Sequence, residues 1–462
     1  MSDIVKSLDL GEKFSWVDQS DPEFRRALDS ILHSKDDLFI CGAAGTGKSV
    51  LVQIAYSLLK GNTLVTASTG ISSAALQDAG IPAATIHCAL EIPSHDFFNS
   101  QTRIDKGVMK AVAKIDTLII DEISMVSCSL LDQVQRVINR ATRGTEHRVR
   151  LILFGDVLQL PPVVDSSDSD VVSYYRDNYD GHSFFFHSKT WKRRGFTTFH
   201  LYKIFRQSET SLQNVLNRMR LGVQSEADVR LFDGRVVDFE EFIGEHRLCL
   251  VLASTNRVVD AINQKYGIPK DKNGKPTRYI DYHARITGSY DLMKNSDTVR
   301  MTERIYLGQQ VMCTRNRPED GYMNGTLGIV RDLGDSYVLI EKADGTRVRV
   351  TRVDWVQTRV SYDEDSGKIS YHDVGRFNQI ACRAAKAVTI HKAQGMTLDS
   401  VYLYLEGSSW IPDSGIYLAL SRCRTYEGIG LSRQLRMNMI HIDEEALQFL
   451  LDEEDKRRHS LF

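Results

Sequence analysis

Short apolar runs alternate with segments of helical spacing through the first half of the chain. Residues 38–41, Thr63–Ala67, Thr117–Asp121 and 149–155 are apolar or β-branched almost throughout, as strands buried on both faces of a parallel sheet should be. Between them, 48–60, Gly70–Asp78 and 127–143 read as helices, which gives βαβ order. Residues 165–180, with five Asp, four Ser and one Arg, show no usable period and predict an exposed connection between domains. A second alternating set follows, with strand Thr197–Leu201, helix 212–221, strand 248–254 and helix Asn256–Tyr266. It resumes at 385–390, 401–405 and 414–421.

The stretch interrupting that second set differs in kind. Its β-like runs are short (309–314, 328–331, Tyr337–Glu341, 347–351), and Asn324-Gly325 and Asp344-Gly345 are turn dipeptides of tight hairpins. The predicted organisation is therefore α/β. A first domain spans 1–180. A second is built from 181–268 and 383–440, with a β domain inserted at 269–382. An acidic, partly amphipathic tail at 441–462 is expected to be helical.

Composition narrows the class. With 462 residues, 42% hydrophobic and 26% charged, the chain is that of a soluble multidomain protein, not a disordered or fibrous one. It has no apolar run near the roughly 18 residues of a membrane span, and its start lacks a secretory pattern. Seven scattered cysteines form no CxxC pair or zinc-type spacing, so reduced thiols and a cytoplasmic location, in a bacterial or phage-infected cell, are expected. The net charge of −2 excludes a generally basic nucleic-acid coat. It also hides a contrast. Residues 1–37 and 441–462 each carry −4, leaving +6 between them, which suits a strand held in a local groove.

Chemistry enters with Gly42-Ala43-Ala44-Gly45-Thr46-Gly47-Lys48-Ser49, a GxxxxGK[ST] run after a strand and before a helix. Its glycines let backbone N–H groups converge on phosphate at a helix N-terminus. Lys48 suits the β- and γ-phosphates and Ser49 suits Mg²⁺. Asp121-Glu122 closes the strand Thr117–Asp121. One carboxylate there would hold the Mg²⁺ shell while the next polarises the attacking water. Gln159, in Gly155-Asp156-Val157-Leu158-Gln159-Leu160-Pro161-Pro162, is placed to sense the γ-phosphate. Together these predict a Mg-ATPase. The bland alternatives are a ligand-free glycine turn and a solvated acidic pair.

Several segments in order resemble the motifs of superfamily 1 helicases, in the 1B group of RecD, Dda and the petite-integration-frequency DNA helicases. They are Asp121-Glu122-Ile123-Ser124-Met125, Gly155 to Pro162, Thr389-Ile390-His391-Lys392-Ala393-Gln394-Gly395-Met396-Thr397 and Tyr417-Leu418-Ala419-Leu420-Ser421-Arg422. Thr66 to Gly70, Thr85-Ile86-His87, and Ser188 to Trp191 leading to Ile204-Phe205-Arg206-Gln207 fit too. The resemblance implies two RecA-like P-loop NTPase domains, a small insertion at about 82–110, and an SH3-like β domain at 269–382. It implies ATP in the interdomain cleft, held by Gly42, Gly45, Thr46, Gly47, Lys48, Ser49, Gln159, Arg206, Gly395 and Arg422, with Ser49 and Asp121 on Mg²⁺. Lys48, Glu122, Gln159, Arg206 and Arg422 become the catalytic set. Thr69, Gly70, Thr85, His87, Thr389, His391 and Lys392 become nucleic-acid contacts, against the plainer reading that such Thr and His residues cap helices or satisfy loops.

Two departures stand out. Phe24 occupies the position where related helicases carry an adenine-reading Gln, with Gln19 five residues earlier. Residues 127–151 lack a Pro-Phe-Gly-Gly element and read His147-Arg148-Val149-Arg150, which suggests a Dda-like or other bacterial or phage relative. Phe184-Phe185-Phe186 is expected in the core. Lys192-Arg193-Arg194, Arg315 and Arg317 are expected on solvated faces. Phe97-Phe98 and Tyr322 are minority candidates for a strand-separating wedge.

The expected function is an ATP-dependent DNA helicase moving 5′→3′ on single-stranded DNA, the polarity coming from the resemblance alone. It would act as a monomer at duplex junctions in replication, repair or recombination, with single-strand-binding or replication proteins as partners. The alternatives are a single-strand-stimulated translocase that remodels protein–DNA complexes or acts on RNA, and a non-catalytic ATP switch. The full hydrolytic set speaks against the switch.

Overall fold

The computed structural model describes Leu10, Phe14, Val17 and residues 19–93, 104–165, 168–204, 210–246, 248–290, 300–406 and 411–460. Six strands make one parallel sheet: β1 (Leu38–Gly42), β2 (Thr63–Ala67), β3 (Ala83–Thr85), β4 (Thr117–Asp121), β5 (Arg150–Gly155) and β6 (Thr197–Leu201), ordered β3-β2-β4-β5-β1-β6. Alternate residues of β1 serve opposite cores, as the twofold period of a strand requires. Leu38 and Ile40 pack with Leu28 and Ile31 of α1 (Pro22–His33) and with Leu51 and Ile54 of α2 (Lys48–Leu58). Phe39 and Cys41 pack on the other face with Val108, Leu131 and Val134. Side-chain caps start the helices: Asp21 accepts from the N–H of Glu23, and Ser127 from that of Leu130.

Three expectations about this domain change. Residues 165–180 are not a connection: Asp168 caps a helix, Ser169–Tyr179, whose Val171, Tyr175 and Tyr179 bury beside Cys128. The three lie four residues apart, a helical stripe that the surrounding Asp and Ser obscure. Thr197–Leu201 does not open the second domain either. It pairs in parallel with β1, because strand–helix alternation runs on unbroken and periodicity cannot say which sheet a strand joins. The residues 441–462 are not a separate tail. Their helix, Glu444–Ser460, inserts Ala446 and Leu450 into the first domain's core. There Phe449 stacks on Phe186 at 4.1 Å and meets Trp191 edge-on at 5.3 Å. Phe184, Phe185 and Phe186 are buried, as expected.

The second parallel sheet has four strands, Ala387–Thr389, Leu250–Ala253, Val401–Leu403 and Ile429–Leu431, in that spatial order. Its insertion is a seven-stranded antiparallel sheet with a two-stranded companion. The predicted hairpin turns are present, Gly325 at φ +90° and Gly345 at φ +80°. One hairpin, Arg347–Asp363 with Lys368–Ile380, far exceeds the predicted 347–351 run. Its far end rests on the first domain, where Val360 joins the core and Asn62 donates to Gly367 O at 3.3 Å. Arg315 makes a second tie, 2.6 Å from Asp78. Arg315 and Arg194, which pairs with Asp37, are thus mostly buried structural cations and not solvated faces. Tyr322 is buried in the β domain's core, which removes it as a wedge.

Of the expected insertion at 82–110, residues 94–103, and Phe97-Phe98 with them, lie outside the described residues. In the remainder, β3 joins the main sheet, while Ile86–Ala89 and Lys106–Val112 are helical. Among the described residues no helix is long and apolar enough to cross a membrane.

Candidate functional site

Parallel strands place all their carboxyl ends on one edge, the usual place for a ligand in such sheets. Here the ends of β1, β4 and β5 deliver, respectively, Gly42 to Ser49, Asp121-Glu122 and Asp156 to Gln159. They meet the carboxyl ends of Leu250–Ala253 and Ala387–Thr389 across a cavity of about 1410 Å³.

On the first-domain side, Gly45 and Gly47 take φ +83° and +92°, which lets the loop curl before α2. A Cβ on Gly42 would come within 2.6 Å of Thr46 Oγ1 and 2.9 Å of Leu201 O, so only glycine fits. Lys48 is buried and its ammonium donates to the carbonyls of Gly42 at 2.7 Å and Ala43 at 3.0 Å. Thr46 also donates to Ala43 O and faces the loop, not the cavity.

Asp121 is buried at the cavity wall. Burial, then the charge of Glu122, push its carboxyl up to about 7 in spite of Lys48. Glu122 sits at φ +53°, a backbone cost of about 1 kcal/mol for a residue with a Cβ. That strain aims a carboxylate into the cavity. Two crowded carboxylates beside a lysine with carbonyl partners fit a divalent cation.

The second domain reaches across. Gln394 donates to Gln159 Oε1 at 3.1 Å and lies 3.5 Å from Glu122 Oε2. Arg422, almost wholly buried, is held on its own domain by Leu418 O at 3.1 Å and Ser421 Oγ at 2.9 Å while lining the cavity beside Gly395. Arg220 pairs with the buried Asp156 at 2.7 Å. Burial alone would raise the Asp156 carboxyl, but the Arg220 guanidinium outweighs it and holds it below its ordinary value. Arg206 lies outside the described residues.

The same cavity continues along Thr69, Gly70, Thr85, His87, Thr389, His391 and Lys392. The plainer reading holds locally. Thr69 accepts from Ser72 N, Thr85 from Cys88 N and Thr389 from Lys392 N. A capping hydroxyl still has its own proton to donate. His87 Nδ1 lies 3.2 Å from Ile92 O, and burial holds the His391 imidazole below its ordinary value. Phe24, buried on α1, forms part of the cavity wall.

Gln394 and Arg220 were not singled out in the sequence. Gln394 stood inside the quoted Thr389 to Thr397 segment, a usable signal. Arg220 is a helix-end arginine whose acidic partner lies 64 residues away, and nothing local marks it.

The PIF1-like helicase family profile matches residues 18–230. The ATP-dependent DNA helicase Pif1 of Bdellovibrio bacteriovorus is 27% identical over 438 residues, 93% of this chain and 91% of that protein. Human ATP-dependent DNA helicase PIF1 is 29% identical over 403 residues, 85% of this chain; the match spans 57% of the human protein. Bacteroides sp Pif1 in complex with ADP-AlF4 superposes with a TM-score of 0.80 at 27% identity, covering 94% of this chain and 97% of that one. With Bacteroides Pif1 bound to ssDNA the TM-score is 0.64 at 26% identity and the same coverage.

Proposed function

Since the chain is related to the Pif1-like superfamily 1B helicases in sequence and in fold, we infer that it is an ATP-dependent DNA helicase, and we propose that it moves 5′→3′ on single-stranded DNA. The carrying observation is the Gln394 bridge: a second-domain amide touches both Gln159 and Glu122, the groups expected to sense phosphate and activate water. Chemistry at one domain is thereby tied to the position of the other.

In this reading Gly45 and Gly47 shape the loop that holds the phosphates of ATP, with Gly42 and Thr46 supporting it. Lys48 leaves its carbonyl partners to neutralise the β- and γ-phosphates. Ser49 and Asp121 hold Mg²⁺, which when bound supplies charge neutralisation between those phosphates. Glu122 accepts the proton of the attacking water, and Gln159 and Gln394 orient it. Arg422, with Arg206 from the segment outside the described residues, stabilises charge on the transferred group once the cleft is closed. Gly395 gives the second-domain loop room beside it. Phe24 offers an apolar wall where an amide would read adenine, so selectivity for the base is weak.

Thr69, Gly70, Thr85, His87, Thr389, His391 and Lys392 grip sugar and phosphate of one strand, a mode that positions DNA without reading sequence. Contacts split between two domains suit a motor that alternates its grips as the cleft opens and closes. The lower score against the ssDNA-bound neighbour supports a rearrangement of domains on that strand.

Duplexes with a 5′ tail, a 3′ tail or neither test this directly. Unwinding of the 5′-tailed duplex alone is expected, and Lys48→Ala should lower its rate at least about a hundredfold. Preference for the 3′ tail would refute the polarity. ATP hydrolysis and protein displacement without strand separation would favour the translocase.

A further inference from the structure

Away from the cleft, the described residues contain one cluster of three metal-ligating side chains, His182, His187 and Glu445. The two histidines flank Phe184 to Phe186 in the first domain, and Glu445 stands in the first turn of the last helix, Glu444–Ser460. Their ligand atoms all lie within 4.8 Å of one another. Nδ1 of His182 is 2.8 Å from Oε1 of Glu445, and Nε2 of His187 closes on that same oxygen. The imidazoles are stacked, 4.1 Å apart and 8° from parallel, so one ring has to turn for both lone pairs to meet a single ion.

Despite this convergence, neither His187 Nε2 nor Glu445 Oε1 makes a hydrogen bond of acceptable geometry. Two imidazole nitrogens and one carboxylate oxygen thus share one place, a donor set that a single cation can take. We propose that His182, His187 and Glu445 form a binding site for a divalent transition metal, zinc by preference, that clips the last helix to the first domain.

The donor set selects the ion. Two imidazoles and a carboxylate suit Zn²⁺, which takes N and O ligands at about 2.0–2.2 Å. Mg²⁺ and Ca²⁺ favour all-oxygen shells, and thiophilic ions need sulfur. The side chains keep 43% (His182), 21% (His187) and 33% (Glu445) of their surface exposed, so an ion has an entry path and water can complete a tetrahedron.

The test is titration of the full chain, stripped with a chelator and free of nucleotide, with Co²⁺ as a visible reporter and then with Zn²⁺. The expected result is one Co²⁺ per chain with an absorption band lacking thiolate character, displaced by Zn²⁺, and a thermal midpoint raised by Zn²⁺. His187→Ala and the near-isosteric Glu445→Gln should each weaken binding at least about tenfold, while Asp121→Asn, which alters only the cleft, leaves the band intact. Circular dichroism of Glu445→Gln confirms that the variant is folded. No Co²⁺ band in the parent, or a band unchanged in folded Glu445→Gln, would overturn the proposal.

Discussion

At the end of β4 two neighbouring carboxylates compete, and Asp121 bears the cost. Its carboxyl rises from 3.8 to about 7 through burial first and Glu122 second. The folded chain therefore holds that proton more tightly than the unfolded one, and stability without nucleotide falls as pH rises between those values. Asp121→Asn should accordingly melt at a higher temperature than the parent at pH 8, with the gap closing as pH falls toward about 4. Thermal scans across that range check it. With Mg-ATP present the order should reverse, because the variant loses a ligand. The phosphate loop and acidic pair were readable from local runs of residues. Gln394 and Arg220 act through partners 235 and 64 residues distant, and no local spacing records such pairs.

Among elements, the buried strands were the easiest to read. Thr63–Ala67 and Thr117–Asp121 have the predicted bounds because both faces are covered and, but for Asp121 at the site, each position is apolar or β-branched. The long hairpin Arg347–Asp363 with Lys368–Ile380 was missed beyond its first residues, since much of it faces solvent and carries Arg, Gln, Asp and His. The last helix was read as acidic and helical but not as part of a core. Its apolar inward face is short, with Ala446, Leu447, Phe449 and Leu450 packing on the first domain's core. Phe449→Ala should therefore lower unfolding stability by about 3 kcal/mol, measured by urea denaturation. A much smaller loss would mean that the helix is only loosely attached.

For the molecule as a whole, the domain count and order were legible but the boundary was not, since β6 and the last helix both return to the first domain. The second domain is thus tied at both ends, and the hairpin contact at Asn62 and the Arg315–Asp78 pair add further ties. At the cleft the domains are linked by the Gln394 bridge and the Arg220–Asp156 pair, and away from it by the seat of the hairpin at Val360. Gln394→Ala should leave the KM for ATP near the parent value and lower DNA-stimulated kcat about tenfold, within the usual range of coupling energies. Steady-state hydrolysis with and without single-stranded DNA separates the two parameters. Equal loss in both conditions would place Gln394 in the chemistry alone.

The docking of Phe449 among Phe39, Phe185, Phe186 and Trp191 has a consequence for how the protein is made. All six strands of the first sheet leave the ribosome before the helix that completes their aromatic core. At about 5–20 residues per second, the delay from Leu201 to Phe449 is on the order of tens of seconds. Throughout that interval the nascent first domain shows a greasy patch with no cover, an opening for a chaperone or for a neighbouring nascent chain. Synthesis of the second domain thus has to finish before the first can close.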